Sequence, residues 1–173
     1  MRLTRREALL VGGGALATLA GPALAQSIQV ERIEMRGTAR GERIWFSPRG
    51  IAIPAGTTLR FVNSDPGNSH TATAYHPDLF GRYSRIPTAA TPWDSGFLLP
   101  DESFDVTLTV PGVYDYYCIP HEMAGMAGRI VVGRPGDPGW EAASADTEDP
   151  APEALAALPS VERILTEGRI ERG

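Results

Sequence analysis

"SFDVTLTVPGVYDYYCIPHEMAGM" occupies residues 103–126 of a 173-residue chain. Phe104, Val106, Leu108 and Val110 alternate with polar residues, the period of a strand with one buried face. Pro111-Gly112 turns the chain, and Val113 to Cys118 return as a second extended run. "GIAIPAGTTLRFVN" (50–63) repeats the scheme: Ile51 and Ile53 alternate, Pro54-Ala55-Gly56 turns, and Leu59 and Phe61 alternate again. Upstream, "SIQVERIEMRG" (27–37) alternates less regularly, and "GRIVVG" (128–133) adds a short run downstream. Helical periodicity is absent from this region, so it predicts an all-β sandwich or barrel. The proline-rich stretch 64–102 is predicted to be loop, with one or two short strands or a turn of helix.

The same stretch ends on the only cysteine of the chain, Cys118, followed three residues later by His121 and five after that by Met126. What such a thiol can do depends on its compartment. The chain begins "MRLTRREALLVGGGALATLAGPALAQ", with Arg2, Arg5 and Arg6 ahead of an apolar, glycine-broken run and the small-residue triplet Ala23-Leu24-Ala25. This reads as a signal peptide over residues 1–25, cleaved before Gln26. The adjacent arginines of "TRREALL" point to the twin-arginine route, which carries folded, cofactor-loaded proteins to the periplasm. With the leader removed, nothing in the remainder calls for membrane contact.

The whole chain carries a net charge of −5, and the leader holds three arginines and one acid, so the exported protein stands near −7. An acidic chain without lysine is a poor partner for nucleic acid or an anionic lipid surface. In an oxidising compartment a single cysteine cannot make an internal disulfide, leaving a nucleophile, an intermolecular bridge or a metal ligand.

A thiolate, an imidazole and a thioether within one short loop form a soft donor set. Trigonal His, His and Cys with a long axial Met is the ligand set of copper electron-transfer sites. Cys118, His121 and Met126 supply three of the four, with Met123 and Glu122 as competing donors from the same loop. The second imidazole must come from elsewhere. His70 follows the predicted strand 58–63, where a loop turns over the end of the sandwich. The third histidine, His76, is open between a surface residue, a second metal site and a pH-sensitive gate.

"FSPRGIAIPAGTTLRFVNSDPGNSH" and "ESFDVTLTVPGVYDYYCIPHEMAGMAGRIVV" resemble the plastocyanin and pseudoazurin branch of the cupredoxins, over residues 46–70 and 102–132. The resemblance implies a Greek-key β-sandwich of about eight strands and one type 1 copper, with His70, Cys118, His121 and Met126 as ligands. It also implies an electron-exit surface at His121, rimmed by Pro120 and Met123, and a second exit at Tyr117. Thr71 departs from the pattern, which often has Asn after the first ligand histidine; a hydroxyl there can still tie the two ligand loops together. Residues 71–101 do not match, so no partner-recognition patch carries over.

After Gly133 the composition shifts. "GRPGDPGWEAASADTEDPAP" has four prolines and five acids, and residues 134–152 read as a solvated linker. In 153–173, Leu155, Leu158, Val161, Ile164 and Leu165 fall at three- and four-residue steps, with Pro159 between them. Two short helical pieces are predicted, docked on the sandwich or on a partner. The cupredoxin domain itself is expected over 26–133.

These readings together predict a periplasmic single-electron carrier, not an enzyme, serving redox protein partners. The alternatives are a copper delivery or buffering protein and an accessory copper subunit of a larger redox complex.

Overall fold

The computed structural model describes residues 30–171. The expected signal peptide and the beginning of the first expected strand lie outside them. The elements are β1 (Val30–Gly37), β2 (Ile44–Ser47), β3 (Gly50–Ile53), β4 (Thr57–Asn63), β5 (Thr73–Ala74), β6 (Ser103–Leu108), β7 (Gly112–Tyr117), a 3-10 turn (Ile119–Ala124), β8 (Ala127–Val132), α1 (Pro152–Ala157), α2 (Val161–Glu167) and β9 (Arg169–Ile170).

They form a sandwich of two mixed sheets, ordered β2-β1-β4-β6 and β5-β7-β8-β3-β9. The alternation in the sequence becomes the core. Ile33, Met35, Phe46, Leu59 and Phe61 of the first sheet face Tyr116, Ile130 and Val132 of the second, each essentially without solvent exposure. Tyr116 stands edge-on to Phe46 and Phe61, at centroid separations of 4.7 and 5.2 Å, and so joins the two layers with favourable ring geometry.

The two strand-turn-strand stretches are not hairpins. β3 and β4 lie in different sheets, as do β6 and β7, so both proline-glycine turns carry the chain from one layer to the other. A crossover and a hairpin share the same local signature, and only the pairing of distant strands decides: β1 runs parallel to β4, and β3 parallel to β8. β2 and β9 have no counterpart in the alternation pattern; both are short edge strands. Trp93 anchors the long loop, buried against Tyr114 and Tyr116.

The C-terminal helices break at Pro159, and both pieces dock. Ile164 and Ile170 pack on Val113 and Val131, and β9 extends the second sheet by pairing with β3. Gly50 makes the close approach possible, because a Cβ there would lie 2.6 Å from Pro159 and 2.8 Å from Ile164.

The acidic segment 134–152 differs from the solvated linker its composition suggests. Glu141 takes hydrogen bonds from the Thr88 backbone and hydroxyl, and its carbonyl accepts from Val113 N. Asp149 grips Arg82 at 3.0 Å, and the Asp146 carbonyl accepts from Arg85. Two of its five acids, Glu141 and Asp149, thus find arginine, hydroxyl or backbone N–H partners on the sandwich, which composition cannot reveal.

Candidate metal centre

β4 ends at Asn63, and that side chain clamps the loop that follows. Its Nδ2 donates to the carbonyls of Asn68 (2.8 Å) and Leu98 (2.9 Å). His70, five residues past Asp65 on this loop, exchanges backbone hydrogen bonds with Leu98 and is fully buried.

The second half of the site comes from the end of β7. Cys118 leads into the 3-10 turn, whose carbonyl-to-amide bonds fold the loop back on itself: His121 N donates to Cys118 O, Met126 N to His121 O, and Cys118 N to Met126 O, all at 3.0–3.1 Å. Gly125 closes the turn at φ 76°, a left-handed conformation that favours glycine. Met126 is thereby buried beside Cys118 in the core, while Met123 stays 73 % exposed.

These two loops bring three donor atoms together. His70 Nδ1 lies 3.2 Å from His121 Nδ1 and 3.6 Å from Cys118 Sγ, and Cys118 Sγ lies 3.4 Å from His121 Nδ1. An ion bound at about 2.0–2.3 Å to nitrogen and sulfur holds its donors roughly 3.2–3.8 Å apart, so the donor set fits one metal ion. Thr71 links the loops as the sequence allowed: its hydroxyl oxygen accepts from Ile119 N at 2.9 Å, and its backbone N–H donates to Cys118 Sγ at 3.3 Å.

Burial sets the electrostatics. It pushes the Cys118 thiol up to about 11, against the pull of the Thr71 N–H, so the proton is held tightly in the absence of a competing cation. Burial, together with the neighbouring His70, pushes His121 below the ordinary histidine value, which favours a neutral ring with a lone pair to offer. Asp65 is 1 % exposed and reaches the far side of His70, with Oδ2 3.0 Å from Nε2. Burial alone would raise its carboxyl, but hydrogen bonds from Asn68, Gly67 and His70 hold it below the usual range.

Of the predicted exit surface, Pro120 and Met123 are exposed and His121 partly so. Tyr117 is not: it is 2 % exposed, its ring stacked on Tyr75 at 4.3 Å with the Arg82 guanidinium 4.8 Å above it. Arg82 is fixed there by Glu122 and Asp149, so the acidic segment seals the face through which Tyr117 was expected to open. Glu122 accordingly points away from the candidate ligands, towards Arg82, the Tyr75 hydroxyl and Ala151 N. His76 stands apart, accepting from Asp78 N.

Sequence reasoning missed Asp65 and Arg82. "SDPGN" signals an Asx-type turn, but nothing local says that its carboxylate will meet an imidazole.

Residues 33–133 match the sequence model of the copper binding proteins of the plastocyanin/azurin family. The chain belongs to that family. Among its relatives, the chloroplastic plastocyanin of Hordeum vulgare is 33 % identical over 125 residues, covering 72 % of this chain and 73 % of the relative. The plastocyanin of Prochlorothrix hollandica is 31 % identical over 120 residues, 69 % of this chain and 82 % of the relative. Among solved structures, a Sinorhizobium pseudoazurin superposes with a TM-score of 0.57 at 32 % identity, covering 81 % of this chain and 96 % of that one. As a cupredoxin the protein binds copper and carries electrons between redox partners rather than catalysing a reaction on a substrate.

Proposed function

We propose that this cupredoxin is a periplasmic carrier of single electrons, exported by the twin-arginine route with loss of residues 1–25, whose type 1 copper is held by His70, Cys118, His121 and Met126. The observation that supports this reading best is the 3.2–3.6 Å spacing of the two Nδ1 atoms and Sγ. Bound copper supplies the one-electron couple. The protein supplies a rigid cage: the Thr71 hydroxyl locks one ligand loop to the other, and the sandwich core closes over Met126. A donor set that moves little between the two oxidation states exchanges electrons quickly. His121 is partly exposed in a loop that also exposes Pro120, Met123 and Ala124, and this apolar rim is the proposed exit surface.

Four protein donors leave no open position for a substrate, consistent with a carrier. Delivery of copper to another protein is the competing role. The two are separated by loading the protein with copper, reducing and reoxidising it repeatedly beside a copper-free acceptor, and following the metal. A carrier retains its copper through the cycles; transfer to the acceptor would overturn this reading. Cys118→Ser should abolish the intense visible band of the oxidised protein while circular dichroism and thermal unfolding keep their folded signature, because the hydroxyl fits the space of the thiol. Retention of the band would remove Cys118 from the ligand set.

A further inference from the structure

The imidazole of His70 has two nitrogens and two different duties. Nδ1 faces Cys118 and His121, whereas Nε2 lies 3.0 Å from Asp65 Oδ2. A carboxylate can only accept, so the ring donates to it from Nε2–H, which fixes the tautomer and leaves the Nδ1 lone pair facing the site. We propose that Asp65 is a positioning residue that, acting through His70, biases the site toward the oxidised ion and so sets its reduction potential low. The proposal rests on the ligand assignment made above.

The placement is built by several segments. Oδ1 accepts from Gly67 N at 2.9 Å, Oδ2 accepts from Asn68 Nδ2 at 2.9 Å, and the Asp65 N–H is held by Asn63 Oδ1 at 2.9 Å. The end of β1 also makes room: a Cβ on Gly37 would sit 2.0 Å from Asp65 Oδ2. The donors from Gly67 and Asn68 are neutral amides, which satisfy the hydrogen-bonding capacity of a buried carboxylate without cancelling its charge. The remaining negative charge acts across the ring. Its attraction for a cation at Nδ1 scales with the charge of that cation, and is therefore stronger for a doubly charged copper ion than for a singly charged one. One electron arrives from or leaves to a partner protein.

The test uses the full-length exported protein loaded with copper sulfate, with reduction potentials read by equilibrium titration against a one-electron mediator. Asp65→Asn keeps the size of the side chain and removes its charge. It should retain the visible band while the preference for Cu(II) over Cu(I) falls about tenfold, the lower end for loss of a partner behind a metal-bound histidine, which raises the potential by about 59 mV. Asn68→Ala removes a donor that competes for the same oxygen, leaves more charge for the ring and should shift the potential the opposite way, by less. A purely structural role for Asp65 predicts lower thermal stability in both variants with unmoved potentials, and that outcome overturns the proposal. If Asp65→Asn does not fold, Asn68→Ala decides alone: a lowered potential supports the proposal, an unchanged or raised one overturns it. Absence of the band in the parent protein would sink the ligand assignment and this proposal with it, whereas a normal band with unmoved potentials sinks this proposal only.

Discussion

The outward faces of the two sheets meet opposite surroundings. On the four-stranded sheet, the residues that point away from the core point to water: Thr58 pairs with Thr107, and Arg60 forms a forked pair with Asp105. β6 accordingly alternates between exposed and partly covered positions. On the five-stranded sheet every residue of β7 is buried. Tyr114 and Tyr116 belong to the central core, while Val113 and Tyr117 point outward and pack in part on the chain beyond Gly133. Asp115 meets Arg85 and Arg129, each of which donates to a carbonyl of that chain. The same pleat thus faces solvent in one layer and a third layer of protein in the other. The lesson is that the C-terminal segment is part of the sandwich rather than an appendage to it.

The sharpest way to break this comparison is to remove everything after Gly133. The cut uncovers Val113, Val131, Tyr117 and Ala127 and strips away Ile164 and Ile170. At about 1.5–3 kcal/mol for each large apolar side chain returned to water, the loss is on the order of 5 kcal/mol or more, a large part of a typical domain's stability. Thermal unfolding should shift strongly downward and the truncated protein should aggregate through the bared sheet face. A truncated protein that melts like the parent would make the third layer ornamental.

Next in size is Asp115→Ala. Asp115 is buried on that outer face between two arginines, with Arg85 at 2.9 Å and Arg129 at 2.7 Å. Each arginine also donates to a carbonyl of the covering segment, Arg85 to Asp146 and Arg129 to Pro159. Removing the shared carboxylate leaves two buried cations uncompensated, which costs about 3–5 kcal/mol. Chemical denaturation should show this as a lower midpoint with an unchanged slope.

The difference between the two faces also explains what could be read in the sequence. Phe104, Val106 and Leu108 announced their strand because their neighbours meet water. That Cys118, His121 and Met126 share one loop was legible from their fixed spacing, and that His70 meets Cys118 and His121 from the scarcity of imidazoles in the chain. The docking of 134–152 was not legible. Four prolines and five acids describe a solvated spacer equally well, and its anchors are in part carbonyls, which every residue possesses. Tyr117 misled for the same reason: its position beside Cys118 says nothing of Arg82, Glu122 and Asp149, which arrive from three other segments to cover it. Asp65 was hidden because its carboxylate sits in an ordinary turn sequence, and its target is defined only once the loop has closed over β1.

The mildest effect belongs to the solvated face. Arg60 and Asp105 meet at 2.7 Å, but both side chains are more than two-fifths exposed. The Arg60 hydrogen bond lowers the Asp105 carboxyl below its ordinary value, burial opposing slightly. A carboxyl depressed by folding stabilises the protein above the unfolded-state pKa, and the contribution disappears as the pH falls through the lower, folded value. Arg60→Ala should therefore reduce the melting temperature a little at neutral pH. The gap to the parent protein should close on acidification through the carboxylate range, and also at high salt, where an exposed pair is screened. Asp115→Ala should keep its deficit in high salt, because its partners are shielded from ions by the covering segment. Equal salt sensitivity of the two variants would mean that the outer faces of both sheets see water, and the contrast between them would fail.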